Sequence, residues 1–459
     1  MRSVAVIGAG VSGLAAALAL ERRGISARVL EATDRVGGSV RTGRAQGYQF
    51  EHGPYALFDN APELTALIAQ LGLGPRLQQS SRASGTRYLA LHGELHAIPA
   101  GPKILSGSLL SLGARMRLLM EVVGSRPKSP DETVLEFGRR HVGEEATRLL
   151  LEPFASLLYA GDVSRLSAQS CFPALLALEK RYGSLVRGIV EEYRQGKRAG
   201  AWLPVGGNLL SFPDGLEELP RAMAAALSEP VRLRSPAARI WPLADGVRLE
   251  LASGEELSAA AVVLATPATA AADLLVEAAP GASALLRAVP YTPLAEVHLG
   301  FAQAEVSGGL AAFGFLVPAS ERMPLLGCIF TSSLFPSRAP AGHCLLSVIL
   351  GGARSSSLAQ QGGDALASIA ASAVRRLLGV HKEPCFVHPV VWPQAMPQYE
   401  VGTARRNESL QEELAQAGPL FFAGNACEGA FLGDAARRGE QIAEAVQARL
   451  GRAGARSPV

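Results

Sequence analysis

At 459 residues the chain is longer than one ordinary hydrophobic core organises, so two or three domains are expected. Hydrophobic residues make up 48% and charged residues 19%, with a formal net charge of +3, which leaves no basic arm or Lys/Arg run for nucleic acid. Five cysteines (171, 328, 344, 385, 427) contain no C-x-x-C pair, against a disulfide framework and in favour of a reducing cytoplasm, and no apolar run reaches the roughly 18 residues of a membrane span.

The first element, SVAVI (3–7), reads as a β-branched strand, and VSGLAAALALERRG (11–24) as a helix stopped by Gly24. The strand is too short and too soon broken by glycine to be a signal peptide. Between strand and helix run Gly8, Ala9, Gly10, Val11, Ser12 and Gly13. Gly8 allows a tight turn, Gly10 lets the backbone approach a pyrophosphate, and Gly13 lets the helix lie close to the strand. The helix N-terminus offers free N–H groups and a partial positive charge to phosphates. ARVLEA (27–32) is the second strand, and its Glu31, 18 residues beyond Gly13, stands where an acid accepts hydrogen bonds from ribose hydroxyls. A dinucleotide site follows from strand, helix, second strand and acid in that order.

Residues 100–200 are mostly helical in pattern, and 212–227 opens another helix. Residues 239–267 alternate as hairpin strands with Asp-Gly and Ser-Gly turns. From about 290 to 390 come strands such as AEVHLGF, PLLGCIF and HCLLSVILGG, with one helix at 364–378. PLFFAGNACEGAFLGDAARRGEQIAEAV (419–446) reads as a strand, a glycine loop and a helix beginning near Asp434. No internal repeat is evident, and 451–459 reads as a frayed tail.

The stretch DRVGGSVRT (34–42) resembles the R-x-G-G-R-x-x-T/S motif of the amine oxidase superfamily of flavoproteins, with Arg35, Gly37, Gly38 and Thr42 matching and Ser39 in place of the usual Arg. The segment 419–446 resembles that superfamily's closing motif, whose helix N-terminus faces the flavin, where its dipole stabilises negative charge on the reduced ring. The cofactor so implied is FAD. VVLATP (262–267) looks like the strand that returns to the FAD sheet. The implied fold class is α/β: a discontinuous Rossmann-type FAD-binding domain (1–99, 201–290, 391–450), a helical insertion that admits substrate and could touch membrane (100–200), and a mixed-sheet substrate domain (291–390), followed by the tail.

Five further segments, 159–179, 211–223, 313–321, 331–336 and 396–410, together resemble the protoporphyrinogen oxidase family, FAD enzymes of late haem biosynthesis whose bacterial branch also includes enzymes acting on coproporphyrinogen III. The resemblance implies a porphyrinogen substrate aromatised in three two-electron rounds, with O2 as acceptor and H2O2 as product. It also implies a homodimer and a hand-off of product to ferrochelatase. By the same match Arg87 pairs a propionate, where a guanidinium can meet a carboxylate bidentately. Phe313, Gly314, Leu316 and Ile349 line the macrocycle pocket, although they also read as ordinary strand core. The cofactor match adds Ala32, Gly38, Ser39, Gly53, Pro54, Tyr55, Ala56, Ile240, Trp392, Asn425, Ala430, Phe431 and Leu432 to the fingerprint residues. His52 reads as structural, Glu428 as a solvated loop acid, and Cys427 and Gly433 depart from the superfamily's aromatic and Asn. No general base and no metal site are assigned.

GPKILSGSLLSLGARMRLLMEVVG (101–124) mixes leucine with cations and either packs as an ordinary helix pair or lies on a bilayer, giving a cytoplasmic protein with or without a peripheral seat on the inner face of the membrane. A flavin amine oxidase, a carotenoid or phytoene desaturase and a non-enzymatic FAD-binding protein are the competing readings. The amine oxidases often carry a Lys near the flavin, and no Lys here matches one.

Overall fold

The computed structural model describes residues 3–99, 101–124, 129–195, 208–306, 310–427 and 429–454. The opening β-branched run forms the strand Val4–Ile7, buried throughout because it lies inside a four-stranded sheet. The order is Leu420–Phe422, Val262–Leu264, Val4–Ile7, Ala27–Leu30, with every pairing parallel. A parallel strand covered on both faces has no polar side to show, so period-two alternation is missing from VAVI and VVL. Strands from both ends and the middle of the chain meet here, which makes the nucleotide-binding unit discontinuous.

Helix Val11–Arg22 lies on this sheet and against the closing helix Leu432–Gly454. Its alanines make the approach possible: a Cβ on Gly439 would stand 2.6 Å from that of Ala15. The closing helix continues through Gly454, so residues 451–454 are helical rather than frayed, and 455–459 lie outside the described residues. The alternating stretch after residue 236 forms the antiparallel meander Ala237–Leu243, Gly246–Leu251, Glu256–Ala259, turning where the Asp-Gly and Ser-Gly pairs stand.

A seven-stranded mixed sheet forms the second layer, in the order Phe386–Pro397, Tyr291–Ala302, His343–Gly351, Leu325–Ile329, Gly314–Leu316, Tyr88–Leu91, Glu94–Ala97. Helix Gly363–Leu378 packs its apolar side on one face of the long strands. Two boundaries drawn from sequence cut through this sheet. Strands Tyr88–Leu91 and Glu94–Ala97 belong to it rather than to the nucleotide unit, and Phe386–Pro397 crosses residue 390. Pairing between distant segments leaves no local mark by which to place such boundaries.

In the helical region, Thr133 and Glu136 close a capping box on helix Val134–Val142. Glu121 is buried beside it, accepting hydrogen bonds from Ser184 Oγ (2.7 Å) and the N–H groups of Leu185 (2.8 Å) and Val186 (2.9 Å) at the start of helix Leu185–Arg194. His141 Nδ1 stands 2.8 Å from the same carboxylate. These contacts outweigh burial and hold the Glu121 carboxyl down at about 2. Residues 101–124 form a 3-10 turn, the helix Leu112–Met120 and a second 3-10 turn, and leave Leu112, Met116, Leu119, Met120 and Val123 exposed. Among the described residues no helix is long and apolar enough to cross a membrane.

Candidate active site

A cavity of about 1330 Å³ lies where the parallel sheet and the seven-stranded sheet face each other. At one end its wall is the glycine turn and helix start: Gly8, Gly10, Val11 and Ser12. No side chain caps this helix, so its first N–H groups remain available to an anion. Gly13 is not on the wall but fixes its shape, because a Cβ there would stand 2.0 Å from the carbonyl oxygen of Gly8. Ala9 is fully buried behind it. Its N–H donates to Glu31 Oε2 at 2.8 Å, while Glu31 Oε1 accepts from the Thr33 N–H (2.9 Å) and hydroxyl (2.8 Å). Three local donors thus fix the carboxylate and leave Oε2 with capacity for a ribose hydroxyl.

The second glycine loop closes over the first. The Gly37 N–H donates to the Ala9 carbonyl at 2.8 Å, and Arg35 reaches the carbonyls of Val36 (3.2 Å), Val40 (3.3 Å) and Gly38 (2.5 Å). Arg35, Gly38 and Ser39 line the cavity, as does Ala32 beside Glu31. Farther along come Gly53, Pro54, Tyr55, Ala56 and Trp392, whose indole N–H donates to the His52 carbonyl at 2.5 Å. The closing motif supplies Asn425, Ala430, Phe431 and Leu432. Asp434 caps the new helix by accepting the Phe431 N–H at 3.2 Å, and Gly433 is small because a Cβ there would stand 2.4 Å from that of Ala61. This cradle fits a flavin adenine dinucleotide: an uncapped helix start for the pyrophosphate, a fixed acid for the ribose, and a second helix start at the far end.

Ile240, expected to face the adenine through its backbone, keeps its side chain off the cavity wall. Ile240 is 2% exposed inside the hairpin core, and its neighbours Ala237 and Ala238 line the cavity instead. Glu428 lies outside the described residues, and Cys427 lines the cavity.

The apolar end is built differently from the expectation. Ile349 lines the cavity with Leu294, Tyr55 and Trp392, but Phe313 and Leu316 sit behind that wall as strand core. Gly314 is glycine because of sheet packing: at φ +146°, a Cβ would stand 1.9 Å from the Cys328 carbonyl oxygen on the neighbouring strand. Space for a macrocycle is therefore not what selects glycine there. Arg87 stands one ring back from the cavity, with Cζ 5.1 Å from the Phe313 ring centroid, and Phe313 meets Tyr55 edge-on at 5.8 Å. No carboxylate pairs with Arg87 among the described residues, and desolvation lowers the pKa of its guanidinium. A half-buried cation without a counter-ion is costly to hold.

A cavity-lining acid, Glu296, is absent from the residues singled out by sequence. It lies in Tyr291–Ala302, where Leu294, Glu296 and His298 alternate onto one face of the strand. That alternation of acid and imidazole inside PLAEVHLGF is visible in the sequence and was the available signal. His52 lines the cavity near Phe50 and His388, and burial first, then the Arg41 charge, lowers its pKa to about 4. Both cations on the cavity wall are arginines, Arg35 and Arg437, and no lysine lines it among the described residues.

The family model of flavin-containing amine oxidoreductases matches residues 11–447. Over 457 residues the chain is 29% identical to coproporphyrinogen III oxidase of Bacillus subtilis strain 168, covering 96% of each. It is 31% identical over 479 residues to mitochondrial protoporphyrinogen oxidase of Nicotiana tabacum, covering 97% of this chain and 94% of that one. A crystal structure from Exiguobacterium sp. 255-15, provisionally assigned as a protoporphyrinogen oxidase, superposes with a TM-score of 0.82 at 26% identity, over 97% of this chain and 99% of that one. With these matches spanning both sheets and the cavity between them, the chain belongs to the flavin-containing amine oxidoreductase family and is an FAD-dependent oxidoreductase.

Proposed function

We propose that this flavoenzyme oxidises a porphyrinogen to the corresponding porphyrin in haem biosynthesis, with protoporphyrinogen IX as the first candidate. The observation that carries the reading is the end-to-end similarity to enzymes named for porphyrinogen oxidation, joined to an apolar cavity end with an unpaired cation beside it. The Bacillus subtilis relative gives coproporphyrinogen III equal chemical standing as substrate. An amine oxidase reading lacks the lysine expected near the flavin.

When bound, FAD supplies the two-electron acceptor for hydride from a methylene bridge, used three times and renewed each time by O2 with release of H2O2. The chain's own residues hold and orient. The Val11 helix start and Gly10 take the pyrophosphate, Glu31 the ribose, and Ala237 and Ala238 the adenine side. Tyr55, Leu294, Ile349 and Trp392 exclude water from the reacting end, where a correct approach of substrate to flavin removes much of the entropic barrier. Arg87 turns from Phe313 to a propionate and fixes the macrocycle's orientation.

The exposed row Leu112, Met116, Leu119, Met120 and Val123, with Lys103 and Arg115 on the same segment, supports a peripheral seat on an anionic bilayer. Flotation with anionic vesicles should carry the protein upward; recovery of all of it in the soluble fraction contradicts that seat. The primary test is aerobic incubation of the FAD-loaded protein with each porphyrinogen. Porphyrin fluorescence is expected with one or both, and its absence with both contradicts the proposal.

A further inference from the structure

Porphyrinogen oxidation releases one proton for every hydride removed, two of the three from pyrrole nitrogen and one from the last bridge carbon, and at the apolar end of the cavity that proton needs an acceptor. We propose that Glu296 is this acceptor, positioned by Ser347 and His298. The inference rests on the porphyrinogen reading above. One carboxyl stands on the apolar wall among the described residues: Glu296 lines the cavity beside Leu294, Ile349 and Tyr55 while being only 6% exposed. Its strand register pairs it with Ile349 on one side and Val390 on the other, so its immediate cross-strand neighbours are aliphatic. Its companions below the wall are polar. His298 Nδ1 stands 3.9 Å from Glu296 Oε1 and 2.9 Å from Ser347 Oγ, which in turn stands 2.7 Å from Thr331 Oγ1. His298 also faces the half-buried His388 across the strand pair at a ring-centroid distance of 6.5 Å, with the Phe50 ring against both. A buried carboxyl kept for packing alone costs stability without return, whereas one facing a reacting substrate has a use.

The step balances as follows. The C–H bond of a methylene bridge breaks with its electron pair, leaving as hydride to the flavin. In two of the three rounds the N–H bond of the adjoining pyrrole breaks, its electron pair stays on nitrogen, and the proton passes to Glu296 as carboxylate; in the remaining round the proton comes from the last methylene carbon, whose C–H electron pair completes the conjugated ring. Hydrogen bonding to Ser347 steadies the carboxylate, and the proton returns to solvent between rounds.

Charged and titratable groups around Glu296 are His298 on its own strand, His388 on the adjacent strand, the buried Cys328 on Leu325–Ile329, Glu51, His52 and Tyr55 on the 48–55 segment, Arg338 paired with Glu51 at 3.1 Å, and Arg87 beyond Tyr55. None of the cations sits against Glu296. Burial, then the Glu51 charge, raises its carboxyl to about 8, opposed by the Ser347 hydrogen bond. The reactive carboxylate therefore grows in as pH rises toward that value.

The test compares wild type with Glu296→Gln and Glu296→Asp, all loaded with FAD and checked by flavin absorbance and circular dichroism. In anaerobic single turnover with protoporphyrinogen, Gln should slow flavin reduction, read as bleaching of the flavin absorbance, by about 10²-fold and abolish the rise with pH, and Asp should restore part of both. Infrared titration supplies a readout independent of turnover: a protonated-carboxyl band that vanishes with rising pH in wild type and is missing in Gln. A Gln variant with wild-type rate and pH profile overturns the proposal while leaving porphyrinogen oxidation standing. If wild type in air produces porphyrin from neither protoporphyrinogen nor coproporphyrinogen, the porphyrinogen reading fails, and this proposal with it; if only coproporphyrinogen reacts, the comparison is made with it. Should Gln not fold, a flat wild-type pH profile with no titrating carboxyl band overturns the proposal, whereas a rising limb matched by that band supports it.

Discussion

At the scale of single residues, the cofactor half of the site is explained by hydrogen bonds that the backbone itself makes. Glu31 is held by three donors at 2.8–2.9 Å before any ligand arrives. Replacing it by Ala removes the ribose acceptor and frees the Ala9 N–H, so FAD affinity should fall by about 10- to 100-fold, or roughly 1.4–2.8 kcal/mol. Flavin fluorescence titration measures this, and unchanged affinity would place the ribose elsewhere. Arg87→Ala should raise the KM for porphyrinogen by a similar factor with FAD retained, because Arg87 lies off the cofactor cradle. Loss of flavin would show that its cation serves the cofactor. Glu31 was legible because ribose acid and glycine turn lie within one βαβ unit, in fixed order. Glu296 carries a weaker signal, the acid–imidazole alternation of an apolar strand, which acquires meaning only when the cavity is seen on its face.

At the scale of elements, strands and helices were read well where the pattern is local and poorly where partners are remote. The first helix, the hairpin meander and the closing strand–loop–helix stand where the sequence puts them. The 88–97 hairpin was placed with the wrong unit, since its parallel partner, Gly314–Leu316, is distant in sequence. Gly314 is glycine for the sheet: its missing side chain makes room for the neighbouring strand. Gly314→Ala should therefore destabilise the sheet by about 2–4 kcal/mol, seen as a lowered Tm with or without substrate. A variant of unchanged Tm but altered substrate choice would restore the pocket reading. In the helical region, Thr133→Ala should cost about 1 kcal/mol by opening the capping box, measured by chemical denaturation.

At the scale of the whole molecule, the two sheets bury titratable groups between them, and folding is linked to pH in two opposing ways. His298 and His52 are held neutral, chiefly by burial, with pKa values lowered to about 3 and about 4. Below the ordinary imidazole value the unfolded chain takes up protons that the folded one refuses, so stability falls as pH drops from about 6.5. Glu296 works in the other direction. Its carboxyl, raised to about 8, keeps a proton that the unfolded chain releases, so its contribution is full below about 4.5 and is lost as pH rises through 8. Calorimetry from pH 5 to 9 should accordingly show Glu296→Gln gaining Tm relative to wild type as pH rises; a constant gap would mean that Glu296 titrates as an ordinary surface acid.

The discontinuous nucleotide unit, the mixed sheet and the cavity between them form one device that presents a flavin to an apolar slot with a cation beside it. The most direct measurement is porphyrin fluorescence from the purified, FAD-loaded protein in air, offered protoporphyrinogen IX, coproporphyrinogen III and a set of primary amines in parallel. Fluorescent porphyrin with stoichiometric H2O2 from at least one tetrapyrrole, and no H2O2 from the amines, is the predicted result; H2O2 from amines with both tetrapyrroles left colourless would contradict the account.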